Sequence, residues 1–145
     1  MSIKAAIQTE LDNTQFVPGQ VLKGRVGWQS GDPVDRAELR LFYYTKGRGT
    51  RDVEVVDRTE WQSPSPIAQQ NFEFPLPEGP YSFSGKLISL IWALELIVDP
   101  GEHTERLEFT LSPSGEEIDL YRYPVPEELD KKSMAKKWFH VERNR

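Results

Sequence analysis

Cysteine is absent from this 145-residue chain, and histidine occurs only twice, as His103 and His140. Without thiols there can be no disulfide scaffold, iron–sulfur cluster, thiolate zinc site or cysteine nucleophile, and two histidines do not make a histidine-rich metal centre. Long apolar runs are missing as well. The longest, Leu87–Val98, includes Glu95 and falls well short of the ~20 residues that cross a bilayer. Met1-Ser2-Ile3-Lys4 lacks the basic stretch and apolar core of a secretory signal. The expectation is a cytoplasmic protein that is not an enzyme, with no catalytic residues, metal or cofactor.

What the chain does contain fits one domain: 37% hydrophobic residues, 11 prolines and 10 glycines. Its formal net charge of −5 is unevenly spread. Residues 131–145 hold six of the 18 basic groups against one acid, Glu142, a local +5, which leaves 12 basic and 22 acidic groups, −10, in residues 1–130. Such a body repels nucleic acid and anionic membrane at long range, and only the tail attracts them.

Period-two alternation recurs between turn residues. Ile3, Ala5, Ile7, Thr9 and Leu11 form one face of a first strand, and Leu22, Gly24, Val26 and Trp28 that of a second, with Pro18-Gly19 turning the chain between them. Ala37, Leu39, Leu41 and Tyr43 alternate with Glu38, Arg40, Phe42 and Tyr44. The next strand, Arg51–Trp61, contains adjacent Val55 and Val56, which predict a bulge. Phe72, Phe74 and Leu76 form a short strand, and Leu107, Phe109 and Leu111 a late one. Lys86–Val98 is apolar nearly all round as a helix; as a strand it has one fully apolar face and one mixed face. It is taken as a strand, long enough to need a bend or bulge. Seven or eight strands with frequent turns predict an all-β, two-sheet antiparallel sandwich over residues 1–123. A basic aromatic tail, helical or extended, follows over residues 124–145.

Phe16-Val17-Pro18-Gly19-Gln20-Val21-Leu22-Lys23-Gly24-Arg25-Val26 resembles the opening "aromatic-x-Pro-Gly-x-x-x-x-Gly-x-Val" passage of arrestin-like domains. Phe72-Glu73-Phe74-Pro75-Leu76-Pro77, then Pro80-Tyr81-Ser82-Phe83-Ser84-Gly85, is similar to that family's "Phe-x-Phe-x-Leu-Pro … Pro-x-Ser-Phe-x-Gly". The resemblance covers about residues 3–111 and implies an immunoglobulin-like sandwich of the family that includes arrestins and bacterial sporulation-control proteins. Its members are mostly adaptors and scaffolds. Arrestins normally pair two such sandwiches and this chain has room for one, while Lys4 stands alone where the family has a phosphate-sensing lysine pair. Phosphorylated-receptor recognition is therefore not implied.

Three groups of residues are candidates for contact. Lys46, Arg48 and Arg51 surround Gly47 and Gly49, a combination able to cradle a phosphate or carboxylate, though it is not a Walker loop. The plainer reading is a glycine hairpin with basic exposed positions. Leu87, Ile91, Ala93 and Ile97 give the second face of the long strand more apolar area than a solvent-facing strand carries. Such a face is covered by the C-terminal stripe, by a second copy or by a different partner, unless a local bulge turns part of it inward. In the tail, Lys132 and Lys136 lie beside Trp138 and Phe139, suited to an acidic partner, an anionic bilayer or the chain's own acidic body. No base-reading motif accompanies them, so nucleic acid is not expected. His103 reads as a solvated turn residue rather than a general base. The sequence thus favours a non-catalytic, arrestin-like adaptor or scaffold that binds proteins through sheet edges or its apolar outer face, with homo-oligomerisation open. The alternative is a peripheral membrane protein that contacts anionic lipid through the tail.

Overall fold

Alternating apolar and polar residues generate strands wherever the sequence shows them, and two sheets bury the apolar sets between them. The structure, a computed structural model, describes residues 3–47 and 51–119. Among the described residues the strands are β1 (Ile3–Thr9), β2 (Gln15–Phe16), β3 (Val21–Ser30), β4 (Arg36–Gly47), β5 (Val53–Gln62), β6 (Ile67–Pro75), β7 (Phe83–Ser84), β8 (Ile88–Asp99), β9 (His103–Leu111) and β10 (Ile118–Asp119). That is more than the seven or eight expected, because β2, β7 and β10 are two-residue strands with no alternation to read. The small sheet has the order β1-β3-β6; the large one runs β10-β7-β8-β4-β5, with β9 also on β8. Long pairings are antiparallel, while β2 with β9 and β10 with β7 are short parallel contacts.

The core lies between the sheets. Leu22, Val26, Trp28, Phe72 and Phe74 face Leu39, Leu41, Leu90, Trp92, Leu94, Leu96 and Phe109 in one cluster. Burying a large apolar side chain contributes roughly 1.5–3 kcal/mol. The two indoles in this core also meet their polar requirement: Trp28 Nε1 donates to the Ser65 carbonyl at 2.9 Å, and Trp92 Nε1 to that of Pro80 at 2.7 Å.

The two passages that carry the arrestin-like resemblance pair with each other. Gly19 adopts φ +82° in the Pro18-Gly19 turn and donates to the Leu76 carbonyl, while Leu76 donates back to that of Gln20. From there Leu22 pairs with Phe74 and Gly24 with Phe72. A Cβ on Gly24 would lie 2.7 Å from Cζ of Phe72 and 2.2 Å from the Gln8 carbonyl oxygen. Only glycine lets that ring and that strand approach so closely.

The bulge expected at Val55–Val56 is present, since Leu41 pairs with Asp57 and Phe42 with Val55. No bulge interrupts the long strand against β4: β8 holds unbroken register with it from Gly47↔Ile88 to Arg36↔Asp99. Its length is accommodated by a change of neighbour on the other side, from β7 at Leu90 to β9 from Trp92 onward. The tail from residue 124 lies outside the described residues.

Candidate functional site

On the large sheet, β5, β4, β8 and β9 lie side by side, so their outward side chains meet in rows. Val55, Phe42, Ala93 and Glu108 form one row; Arg58, Arg40, Glu95 and Arg106 form the next. Phe42, Tyr44 and Ala93 make a second apolar cluster, separate from the main core, with Ile91 packed against it. The Phe42 and Tyr44 rings stack with centroids 6.1 Å apart.

Guanidinium groups roof these rings. Arg51 lies 5.2 Å from the centroid of Tyr44, and Arg106 lies 5.2 Å from Phe42 and 5.3 Å from Tyr44. Such cation–π contacts stabilise by about 0.5–1 kcal/mol at exposed sites. Arg106 is also held by Glu95, Nη2 to Oε2 at 3.0 Å. Burial works against the Arg106 charge, but the hydrogen bond and charge of Glu95, aided by Tyr44, outweigh it and raise its pKa. Tyr44 donates to Glu108 Oε2 at 2.5 Å. Burial first, then that hydrogen bond and the Glu108 charge, lift the phenol above its ordinary pKa.

Between the rings and the arginines is a cavity of about 80 Å³, lined by Arg40, Phe42, Tyr44, Arg51, Val53, Val55, Glu95 and Arg106. Two larger depressions, about 380 and 550 Å³, lie against the small sheet; the first mixes Lys23 and Arg25 with Glu10 and Glu73, and the second has Lys4 among small, polar and apolar residues. Neither gathers like charges as the smaller cavity does. Among the described residues no group of His, Asp and Glu is placed to hold a metal ion.

The residues singled out in the sequence fall unevenly on this geometry. Arg51 lies in the site, and Lys46 is exposed on β4, two residues past Tyr44. Arg48, Lys132, Lys136, Trp138 and Phe139 lie outside the described residues. Of the four residues expected to form an apolar contact face, two are buried within the chain itself: Ala93 is 0% and Ile97 8% exposed. Ala93 is closed over by Phe42 and Tyr44, while Ile97 stands between Glu38 and Thr104. Ile91 is half-buried, and Leu87 is exposed but precedes β8. His103 is not a solvated turn residue: it opens β9 opposite Val98, half-buried, with Glu105 Oε1 3.8 Å from its Nε2.

Sequence reasoning missed Phe42, Tyr44, Arg40, Glu95, Arg106 and Glu108. The available signal was the outward set of β4, which turns aromatic at Phe42 and Tyr44 just where the partner set of β8 turns apolar at Ile91 and Ala93.

Among solved structures the chain is similar to Spo0M, a sporulation control protein from Bacillus subtilis, with a TM-score of 0.53 and 16% identity over 77% of this chain and 49% of that one. The fold is arrestin-like. The arrestin-like sandwich thus spans about half the length of the Spo0M chain, and at this identity the likeness shows the fold alone. Two further structures are more distant. One is a superoxide reductase (neelaredoxin) from Ignicoccus hospitalis, with a TM-score of 0.41 and 14% identity over 74% of this chain and 80% of that one. The other is the alkylpurine DNA glycosylase AlkC from Pseudomonas fluorescens, with a TM-score of 0.38 and 16% identity over 75% and 30%. No family model and no curated protein matches the sequence.

Proposed function

We propose that this chain is a non-catalytic, cytoplasmic adaptor module that binds a partner protein along β5 and the aromatic–arginine face beside it. The observation that carries the reading is the character of β5. Among the described residues it forms one edge of the large sheet, and it exposes Val53, Val55 and Val56 by 55%, 46% and 40%. An edge strand offers unpaired backbone donors and acceptors to an incoming strand. Clustered exposed valines beside it add apolar area that a strand serving only as a solvated edge does not need. The likeness to a sporulation control protein supports a regulatory rather than a catalytic role.

Site-specific photo-cross-linking in cells tests this. A photoreactive residue at Val55 is expected to give one predominant protein adduct, and the same residue at Gln29, on the outer face of the small sheet, none. Adducts at both positions alike, or at neither, remove the reading.

A further inference from the structure

We propose that the cavity walled by Arg40, Arg51 and Arg106 receives a side-chain carboxylate from an acidic peptide strand of the partner lying along β5. This deepens the adaptor reading and rests on it. Among the described residues the cavity gathers three guanidinium groups and a single carboxylate, Glu95, on a chain whose first 130 residues carry −10. A local reversal of sign of this kind draws an acidic partner to one face of an otherwise acidic body.

The three arginines are not equally engaged. Arg106 is paired with Glu95, and Arg40 with the buried Glu38. Among the described residues Arg51 has its contact with the Tyr44 ring and no ion pair. It is an exposed cation held in place by a ring, with its forked donors left for an incoming acceptor.

Size and position narrow the ligand. About 80 Å³ is too small for a cofactor, which needs roughly 300–1,000 Å³, and suits one small polar group. Val53 and Val55, from the exposed edge strand, form one wall. A strand added to β5 lies ~4.8 Å from it and projects every second side chain over the same outer face. An aspartate or glutamate in that strand enters the arginine-lined cavity while an apolar neighbour meets the valines.

Fluorescence anisotropy on the full chain tests the assignment, using labelled peptides of alternating valine and glutamate, valine and lysine, or valine and phosphoserine. The glutamate peptide is expected to bind and the lysine peptide not. Arg51→Glu is expected to weaken binding about tenfold, equivalent to ~1.4 kcal/mol. Arg25→Glu makes the same change of net charge on the outer face of the small sheet and is expected to leave binding unaltered. The assignment is overturned by no binding of the glutamate peptide, by binding of the phosphoserine peptide alone, or by equal losses in the two variants. If cross-linking at Val55 persists in the Arg51→Glu chain while the glutamate peptide fails, the adaptor reading stands and the carboxylate site falls.

Discussion

Tyr44 on β4 donates a 2.5 Å hydrogen bond to Glu108 on β9, although β8 lies between their strands. The phenol must cross β8 to reach its acceptor. It does so at Ala93, the β8 residue that stands directly opposite Glu108 and packs against Tyr44 and Phe42. A small residue at that point gives the ring room, and the ring in turn closes the apolar surface of β8 from above. Strands β4, β8 and β9 are thereby tied across their outer face by a side chain as well as by their backbone ladders.

Enlarging Ala93 is therefore expected to lift the Tyr44 ring away from Glu108. Ala93→Leu should destabilise the fold by about 1–3 kcal/mol through overpacking and loss of that bond. In urea unfolding, Ala93→Leu combined with Tyr44→Ala should cost less than the two separate losses added, because one contact is counted in both. Strict additivity would show that the ring does not depend on position 93.

The raised pKa of Tyr44 gives its bond a pH signature. The proton is held more tightly in the folded chain than at the ordinary phenol value of 10.0. Its contribution to stability is complete below that pH and is lost as pH rises through the folded pKa. Tyr44→Phe should cost about 1 kcal/mol at neutral pH, since Glu108 is exposed and water replaces the phenol. The gap between wild type and variant should stay flat up to pH 10 and shrink above it, as read from denaturant midpoints. A gap unchanged in strongly alkaline solution would contradict the assignment.

Much of this arrangement was readable in the chain, and the limits were physical. Alternation marked β1, β3, β4, β8 and β9, and Phe16–Val26 and Phe72–Leu76 carried a signature because Gly24 and Phe72 must interlock. The apolar outer set of β8 was visible, but whether it lies open depends on side chains from β4 and β9, whose registers a single sequence does not supply. Arg51 drew notice for its glycine neighbours. Arg106 drew none, because its closeness to Tyr44 is set by the packing order of β4, β8 and β9. Two-residue strands such as β7 and β10 have no period at all.

Two glycines on β3 and in the turn after it make opposite predictions. A Cβ at Gly24 would meet the Gln8 carbonyl oxygen at 2.2 Å and the Phe72 ring, whereas one at Gly31 meets nothing within 4 Å. Gly24→Ala should destabilise by about 3 kcal/mol or prevent folding. Gly31→Ala should be neutral or stabilise by up to ~1 kcal/mol through a less flexible unfolded chain. Thermal melts of the pair decide it, and a tolerated alanine at position 24 would refute the interlocking of Gly24 with Phe72.

Glu38 is fully buried on the outer face of the large sheet, with Arg40 Nε 2.5 Å and Arg58 Nη1 3.5 Å from its carboxylate. Removing one partner of a buried pair strands a charge, whereas replacing both with apolar groups of similar volume is often neutral. Among the described residues Arg40→Met leaves Glu38 one close ion-pair partner, Arg58, whose side chain is 65% exposed. The expected loss is about 2 kcal/mol, below the usual cost for a wholly buried pair because Arg40 itself is partly solvated. Adding Glu38→Leu removes the stranded carboxylate, so the double variant should recover to within about 1 kcal/mol of wild type. Guanidinium unfolding of the three chains reads this directly. If the double variant is less stable than Arg40→Met alone, the carboxylate contributes packing or bonding beyond its pairing with Arg40, and the ion-pair account of this row is wrong.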